Sequence, residues 1–245
     1  MNLSELLKDV TVESLTGNPQ LAINGIAFDS RAVKPGNLFV CISGFETDGH
    51  KYAPQAIEKG AAAILAERDL SDLGVTCAVV KNSRKALALV SAAFYGHPEK
   101  NFCLIGVTGT NGKTTTTYLI KSVLEAMGKK VGLIGTNQNM IGTEIIPSKR
   151  TTPDSLELMR LFSKMAEKKV DYAIMEVSSH SLVLDRVTAC TFDVGAFTNI
   201  TQDHLDFHKT MEEYLKAKGI LFQISKNGAI NADDPAAKQL LELST

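Results

Sequence analysis

The stretch GVTGTNGKTTTTYLI, Gly106 to Ile120, constrains this chain more than any other. An apolar run, FCLIGV, leads into it and a helical pattern follows. Strand, glycine turn, lysine and threonine, then helix is the order a phosphate site requires. Backbone N–H groups of the turn and the free N–H groups of the new helix point at the anion. Lys113 supplies a point charge, and Thr114 can reach a magnesium ion through its hydroxyl. The spacing departs from G-x-x-x-x-G-K-[ST]. That pattern has glycine where this chain has Val107; the leading glycine is Gly106, with Gly109 inside the loop. The bland alternative is a glycine-rich turn between strand and helix that holds nothing.

On both sides of this turn, strand-like runs alternate with amphipathic ones, so the expected class is α/β. A small N-terminal domain over 1–97 has strands AINGIAFDS, NLFVCI, AAAILAE and TCAVVK. Its helices are KYAPQAIEKG and SRKALALVSAAFYG. GHPEK, Gly96 to Lys100, reads as a linker. A second domain over 98–245 carries strand FCLIGVTG, helix TTTTYLIKSVLEAMG and strand KVGLIG. A helix from about Pro153 to Lys168 follows, with Thr152 as N-cap and Pro153 at its first position. Strands YAIMEV and DVGAFTN come next. The next helix starts at Thr210, which with Glu213 fits a capping box. Strand GAIN and a short helix after Pro235 end the chain. The second domain reads as a P-loop-type parallel sheet with helices on both faces, lacking its last strands.

Composition excludes several classes. A hydrophobic content of 44% and a charged content of 22% are those of a soluble globular protein. A net charge of −1 gives no reason to expect nucleic acid or a membrane surface as partner. No apolar run approaches the roughly 20 residues that span a bilayer. MNLSELLKDV lacks the basic start and apolar core of a signal peptide, so the expected compartment is the cytoplasm. Cys41, Cys77, Cys103 and Cys190 are scattered, mostly in strand-like runs, and read as reduced core thiols.

The loop GVTGTNGKTT resembles the ATP-binding loop of the Mur ligase family, which folylpolyglutamate synthases share. EVSSHSLVLDRV and RTTPDSLEL resemble the branch of that family that adds the third residue of the peptide stem. FDSRAVKPGNLFVCISGFETDGHKYAPQAIEKGAAAIL resembles the family's uridine-nucleotide-binding domain. The resemblance covers nearly all of the chain. It implies ATP as a substrate, held by Gly109, Thr110, Asn111, Gly112, Lys113, Thr114 and Thr115, with Asn231 of INADDP touching the base. It implies two Mg²⁺ ions held by Thr114, Glu176, His204 and Lys218. It implies that Phe28, Ser30, Phe45, Glu46 and Thr47 receive the UDP end of a UDP-N-acetylmuramoyl dipeptide. Thr151, Thr152, Ser178 and Arg186 would contact its sugar-peptide part.

By the same resemblance, Lys218 matches a lysine that takes up CO₂ as a carbamate, giving N6-carboxylysine. The chemistry agrees. An ammonium facing Mg²⁺ and phosphates is repelled, so the position favours a neutral amine, which can take up CO₂ and become an anion suited to a hard cation. Lys216 points to a different helical face. Each residue also has a plainer reading. Glu176 could be a solvated carboxylate at a strand end, His204 an ordinary polar histidine and Lys218 a solvated helical lysine. Asn231 could open an Asx turn, and Arg31 could be structural.

The family reaction is an ATP-dependent ligation through an acyl phosphate. The catalytic group would be Lys113, His204 and Lys218, and the incoming amine a diamino acid, meso-diaminopimelate or L-lysine. The family's third domain, which carries the amino-acid site, has no counterpart here. The chain is therefore expected to bind its ligands without turnover, and the full-length protein to be a monomer. Two rivals stand beside this reading: a folylpolyglutamate synthase-like ligase, and a nucleotide-binding module without catalysis.

Overall fold

A computed structural model, describing residues 1–44 and 47–243, resolves the alternation of apolar runs and helical stretches into two compact α/β units, Met1–Gly96 and His97–Thr245. The calls for Phe45 and Glu46 lie outside the described residues.

In the first unit the elements are α1 (Leu3–Leu6), β1 (Ser14–Thr16), β2 (Gly25–Ala27), β3 (Asn37–Val40), α2 (Ala53–Glu58), β4 (Ala63–Ala66), β5 (Thr76–Val79) and α3 (Ser83–Phe94). They build one sheet of order β1-β5-β4-β3-β2, in which β2 to β5 run parallel and β1 is antiparallel to β5. Every residue of β3 and of β4 is buried. That is why both read as unbroken apolar runs rather than alternating ones: helices cover both faces of a parallel sheet. Phe39, Ile64, Cys41 and Cys77 share a core with Ala53 and Ala56. The helix α3 begins where Asn82 accepts from the backbone N–H of Lys85, a side-chain N-cap.

The second unit runs β6 (Cys103–Thr108), α4 (Lys113–Ala126), β7 (Val131–Ile134), β8 (Gln138–Ile141), β9 (Glu144–Pro147), α5 (Ser155–Glu167), β10 (Tyr172–Glu176) and α6 (Ser179–Val183). It continues with β11 (Phe192–Phe197), α7 (Leu205–His208), α8 (Met211–Gln223), β12 (Ser225–Ile230) and α9 (Ala237–Leu243). Its sheet has the order β12-β11-β6-β10-β7-β8-β9. The first five of these are parallel; β8 and β9 form an antiparallel extension beside β7. The chain leaves β6 toward β7, returns to β10, then crosses to β11 on the other side of β6. The reversal lies at β6, and open α/β sheets bind their ligands at the carboxyl ends of the strands at such a point.

Three local expectations change. Thr152 does not cap α5. Asp154 does, accepting from the Glu157 N–H at 3.0 Å, so Pro153 lies outside the helix. Thr210 accepts from the Glu213 N–H at 3.1 Å, but its own N–H goes to the carbonyl of His208, so only half of the capping box forms. GHPEK spans the division between the units but is not all linker, since Pro98 and Glu99 are buried in a short 3₁₀ turn of the second unit. His204 lies between β11 and α7, with φ 51°, seven positions beyond Phe197, the last residue of β11. The four cysteines are free thiols, and Cys41, Cys77 and Cys190 are buried. Burial pushes the Cys41 thiol up to about 12. No helix among the described residues is long and apolar enough to cross a membrane.

Phe162 of α5 is fully buried and packs edge-on against Phe102, with ring centroids 5.2 Å apart. Phe162→Ala is expected to destabilise the second unit by about 3–5 kcal/mol, through lost burial and the cavity left behind. Urea unfolding monitored by circular dichroism measures it, and a loss below about 1 kcal/mol would contradict the packing described.

Candidate active site

The glycine turn sits between β6 and α4, and two of its glycines are there for backbone reasons. Gly112 adopts φ 82° immediately before α4. Gly109 adopts φ 149°, and a Cβ there would run into the Thr198 hydroxyl. The turn is clamped from the segment after β11. Thr110 N–H donates to the Asn199 carbonyl at 2.8 Å, and Asn111 N–H to Asn199 Oδ1 at 3.0 Å. Thr198 Oγ1 donates to the Asn111 carbonyl at 2.7 Å, and Thr201 N–H to Thr110 Oγ1 at 3.0 Å. Asn231 joins the same clamp, donating to the Thr198 carbonyl at 2.8 Å while its Oδ1 accepts from Asp233 N–H at 3.2 Å. The Asx-turn geometry therefore occurs at Asn231. Lys113 folds over the turn and donates to the carbonyls of Gly109 and Thr110, both at 2.9 Å. Burial lowers its pKa, opposed by Glu176 and Asp203. Thr115 is exposed.

Glu176 ends β10, only 1% exposed, so the reading of a solvated carboxylate fails. Thr114 Oγ1 lies 3.0 Å from both carboxylate oxygens. The backbone N–H of Thr136 donates to Oε1 at 2.9 Å, and Thr136 Oγ1 lies 3.0 Å from Oε2. Gly135, at the end of β7, makes room: a Cβ there would overlap Glu176 Oε1. Thr136 Oγ1 is also 3.0 Å from Thr151 Oγ1. Thr152 is buried and donates to the Glu176 carbonyl at 2.9 Å, while its own oxygen accepts from Ser178 N–H at 3.0 Å. Ser178 caps α6, and Arg186 Nη1 donates to the Thr152 carbonyl at 3.0 Å. Lys113, Thr114, Glu176, Thr151, Thr152, Ser178 and Arg186 thus belong to one connected region at the carboxyl ends of β6, β7 and β10.

The other predicted residues lie toward α7 and α8. Lys218 is 1% exposed, its Nζ 4.2 Å from the centre of the Tyr214 ring. Burial, joined by the Lys113 ammonium and opposed by Asp203, pushes its amine down to about 7. Lys216, by contrast, is exposed and paired with Glu212 at 2.7 Å. Tyr214 connects this side to the turn, with its hydroxyl 3.3 Å from Thr110 Oγ1. His204 stands edge-on to His180, with centroids 4.9 Å apart, and 3.6 Å from Asp203. His208 is buried with Nε2 2.8 Å from Ser179 Oγ, and burial pushes it down to about 4. Among the described residues no group of three His, Cys, Asp or Glu side chains could hold a metal by itself. The oxygen pair of Thr114 and Glu176 fits a magnesium ion nonetheless, because Mg²⁺ keeps several waters and is commonly bound by one or two carboxylates plus substrate phosphates.

In the first unit, Ser30 is buried and donates to Gln55 Oε1 at 2.6 Å, and Phe28 is half-buried. Arg31 is exposed and clasps Asp29, its Nη2 2.8 Å from the carboxylate. Thr47 is exposed, 3.3 Å from the Tyr52 hydroxyl. Beside it, His50 accepts from Glu67 N–H at 2.9 Å and approaches Asp48, which also takes Arg68 at 3.0 Å.

Sequence reasoning missed Thr136, Asp203, Tyr214, His180, His208 and the Thr198–Asn199 clamp. For Thr136 a signal existed: GT directly after the apolar run VGLI falls at a strand's carboxyl end, where ligands bind. The clamp had none, because it is formed across 87 and more positions of sequence.

Known proteins match this chain over nearly its whole length. Residues 107–245 match the family model described as Mur ligase middle domain. Residues 22–101 match the one described as Mur ligase family, catalytic domain. A relative from Clostridium botulinum, named UDP-N-acetylmuramoyl-L-alanyl-D-glutamate--2,6-diaminopimelate ligase, is 52% identical over 99% of this chain and 51% of its own length. One of the same name from Caldanaerobacter subterraneus is 50% identical over 100% of this chain and 51% of its own. A solved structure of a ligase of that name superposes with a TM-score of 0.84 at 28% identity, covering 100% of this chain and 50% of its own. The chain spans about half the length of the curated relatives it matches.

The Lys218 amine gives a pH signature. Its folded value near 7 lies below the ordinary 10.5, so from about pH 7 to 10.5 the unfolded chain holds a proton there that the folded chain lacks. Stability must therefore rise with pH across that window and carry the full penalty of the buried charge below it. In carbonate-free buffer, Lys218→Met should be the more stable protein near pH 7, and this advantage should shrink toward pH 10. Chemical denaturation of both proteins across the window measures it, and a constant difference would place Lys218 outside a desolvated site.

Proposed function

The chain belongs to the Mur ligase family, and we propose that it supplies the ATP- and UDP-substrate-binding parts of a ligase joining diaminopimelate to UDP-N-acetylmuramoyl-L-alanyl-D-glutamate. One observation carries the reading. The carboxylate of Glu176 is shared between Thr114 of the glycine turn and Thr136, which reaches Thr151. The groups assigned to the phosphates and those assigned to the acceptor substrate thereby meet on one side chain. The relatives' names favour diaminopimelate over lysine as the incoming amine. In this reading residues 1–97 receive the uridine nucleotide, through Ser30, Phe28 and Thr47, and residues 98–245 bind ATP. A cytoplasmic location fits an ATP-consuming reaction.

The chemistry is a phosphoryl transfer followed by an acyl transfer. An oxygen of the D-glutamyl side-chain carboxylate attacks the γ-phosphorus of ATP, the bond to the β-phosphate oxygen breaks, and ADP leaves. The amine then adds to the acyl carbon, loses a proton and expels inorganic phosphate. The protein's contribution is positioning and charge neutralisation. The turn's N–H groups and Lys113 take the phosphates. Thr114 and Glu176, and on the other side His204 and a carbamate on Lys218, would hold two magnesium ions, whose charge would stand against the phosphates. Thr151, Thr152, Ser178 and Arg186 aim the acceptor carboxylate. Lys218 suits carbamate formation: a buried amine near 7 is substantially neutral at physiological pH. Its nitrogen attacks CO₂, and one proton leaves.

A folylpolyglutamate synthase-like ligase would share the turn but would have no use for the DSR…PG…DGH segment of the first unit. Calorimetric titration separates the two. The 245-residue chain should bind UDP-N-acetylmuramoyl-L-alanyl-D-glutamate and not dihydrofolate; the opposite result would overturn the reading. Lys113→Ala should weaken binding of a non-hydrolysable ATP analogue with magnesium at least tenfold, on the order of 1.4 kcal/mol, by removing the turn's one cation. An unchanged affinity would remove the turn from the nucleotide site.

A further inference from the structure

Thr136 has one hydroxyl hydrogen and two oxygen neighbours, Glu176 Oε2 and Thr151 Oγ1, each at 3.0 Å. It is firmly held. Its backbone N–H is tied to Glu176 Oε1 at 2.9 Å, and Gly135 before it leaves no space between β7 and the carboxylate. Beside Thr151, Thr152 is tied down, donating to the Glu176 carbonyl and accepting from Ser178 N–H. The three oxygens therefore keep their places while the hydrogens between them reorient. A carboxylate accepts only, whereas a hydroxyl donates once and accepts twice.

We propose that Thr136 is a positioning residue that couples the nucleotide side of the site to the acceptor-substrate side by switching its single hydrogen between Glu176 and Thr151. This rests on the ligand assignments made above. Thr136 serves Glu176 while the carboxylate's lone pairs are free, and Thr151 then gives its own hydrogen to Thr136. When those lone pairs are taken by a cation that arrives with the nucleotide, Thr136 donates to Thr151 instead. That releases the Thr151 hydrogen for an anionic acceptor outside the triad, such as the substrate carboxylate. Nucleotide and acceptor each bind better with the other present, and by linkage the two effects are equal. No atom of Thr136 need touch either ligand.

Calorimetry on the 245-residue chain tests this, with magnesium plus a non-hydrolysable ATP analogue as one probe and UDP-N-acetylmuramoyl-L-alanyl-D-glutamate as the other. In the wild type each probe should raise the affinity for the other by about 5-fold or more, the lower end of ordinary coupling. Thr136→Val keeps the side chain's shape and removes the hydrogen; coupling should fall below about twofold, whatever the affinity for each probe alone. Thr136→Ser must restore the coupling. Thr136→Ala, which loses the hydroxyl without a branched replacement, must behave as Thr136→Val does, and thermal melts confirm that each variant is folded. Full coupling in both hydroxyl-free variants overturns the proposal, as does a wild type that binds both probes independently. That second result leaves the functional reading standing. A wild type that binds neither probe removes both.

Discussion

The second unit is organised around a buried anion. A carboxylate taken out of water is costly unless donors replace its hydration, and breaking such an arrangement by removing a partner costs far more than forming it gains. Glu176 finds its donors in separate segments: Thr114 in the first turn of α4, and the N–H and hydroxyl of Thr136 just after β7. The segment leading into α5 is bolted to the backbone at the same point, through Thr152. Three crossovers of the sheet are thus drawn to one oxygen-rich spot. The absence of a side chain at Gly135 is what lets β7 come close enough to take part.

Across the glycine turn the situation is reversed. Lys218 is a buried amine that forms no ion pair among the described residues, and its near neighbour is the Tyr214 ring. Burial and the Lys113 ammonium both disfavour its charge. One side of the turn therefore stabilises a negative charge, and the other withholds a positive one. The effect is an oxygen donor set on one flank and a largely uncharged amine on the other, with the glycine turn between. The histidines continue this pattern, since burial lowers both His180 and His208.

Much of this was legible in the sequence, and what was not has identifiable causes. Strands β3, β4, β6, β7, β10 and β11 could be read because a doubly covered parallel strand is a short apolar run whatever its surroundings. The β8–β9 extension was missed because β9 is mostly exposed and lies at the sheet edge, so burial leaves no pattern on it. Thr152 fits the local rule for an N-cap before proline, yet Asp154 takes that role. The Thr152 hydroxyl is needed 24 positions away, at Glu176, and a tertiary hydrogen bond to a buried carbonyl outweighs a local preference. Likewise half of the Thr210 capping box gives way to a bond within the preceding turn. Thr136 carried a weak signal, because its role depends on which strand lies next to β7.

The irregular spacing of the glycine turn follows from the same geometry. Position 107, where the common phosphate-loop pattern has glycine, is still inside β6, fully buried and paired with both neighbouring strands. A glycine there would weaken the central strand and leave core volume unfilled. A branched side chain suits the site, and Val107 fills it. Conformational freedom is needed two residues later, where Gly109 has φ 149° and lies against Thr198, and again at Gly112, just before α4 begins. The register makes Val107 the direct partner of Glu176. A longer strand before the turn therefore sets the carboxylate level with the last residues before the loop, close enough for Thr114, the second residue of α4, to reach it. Moving the glycine into position 107 would shorten β6 and remove the rigid step on which that alignment rests. The departure from the common spacing is thus a consequence of seating the acid next to the loop.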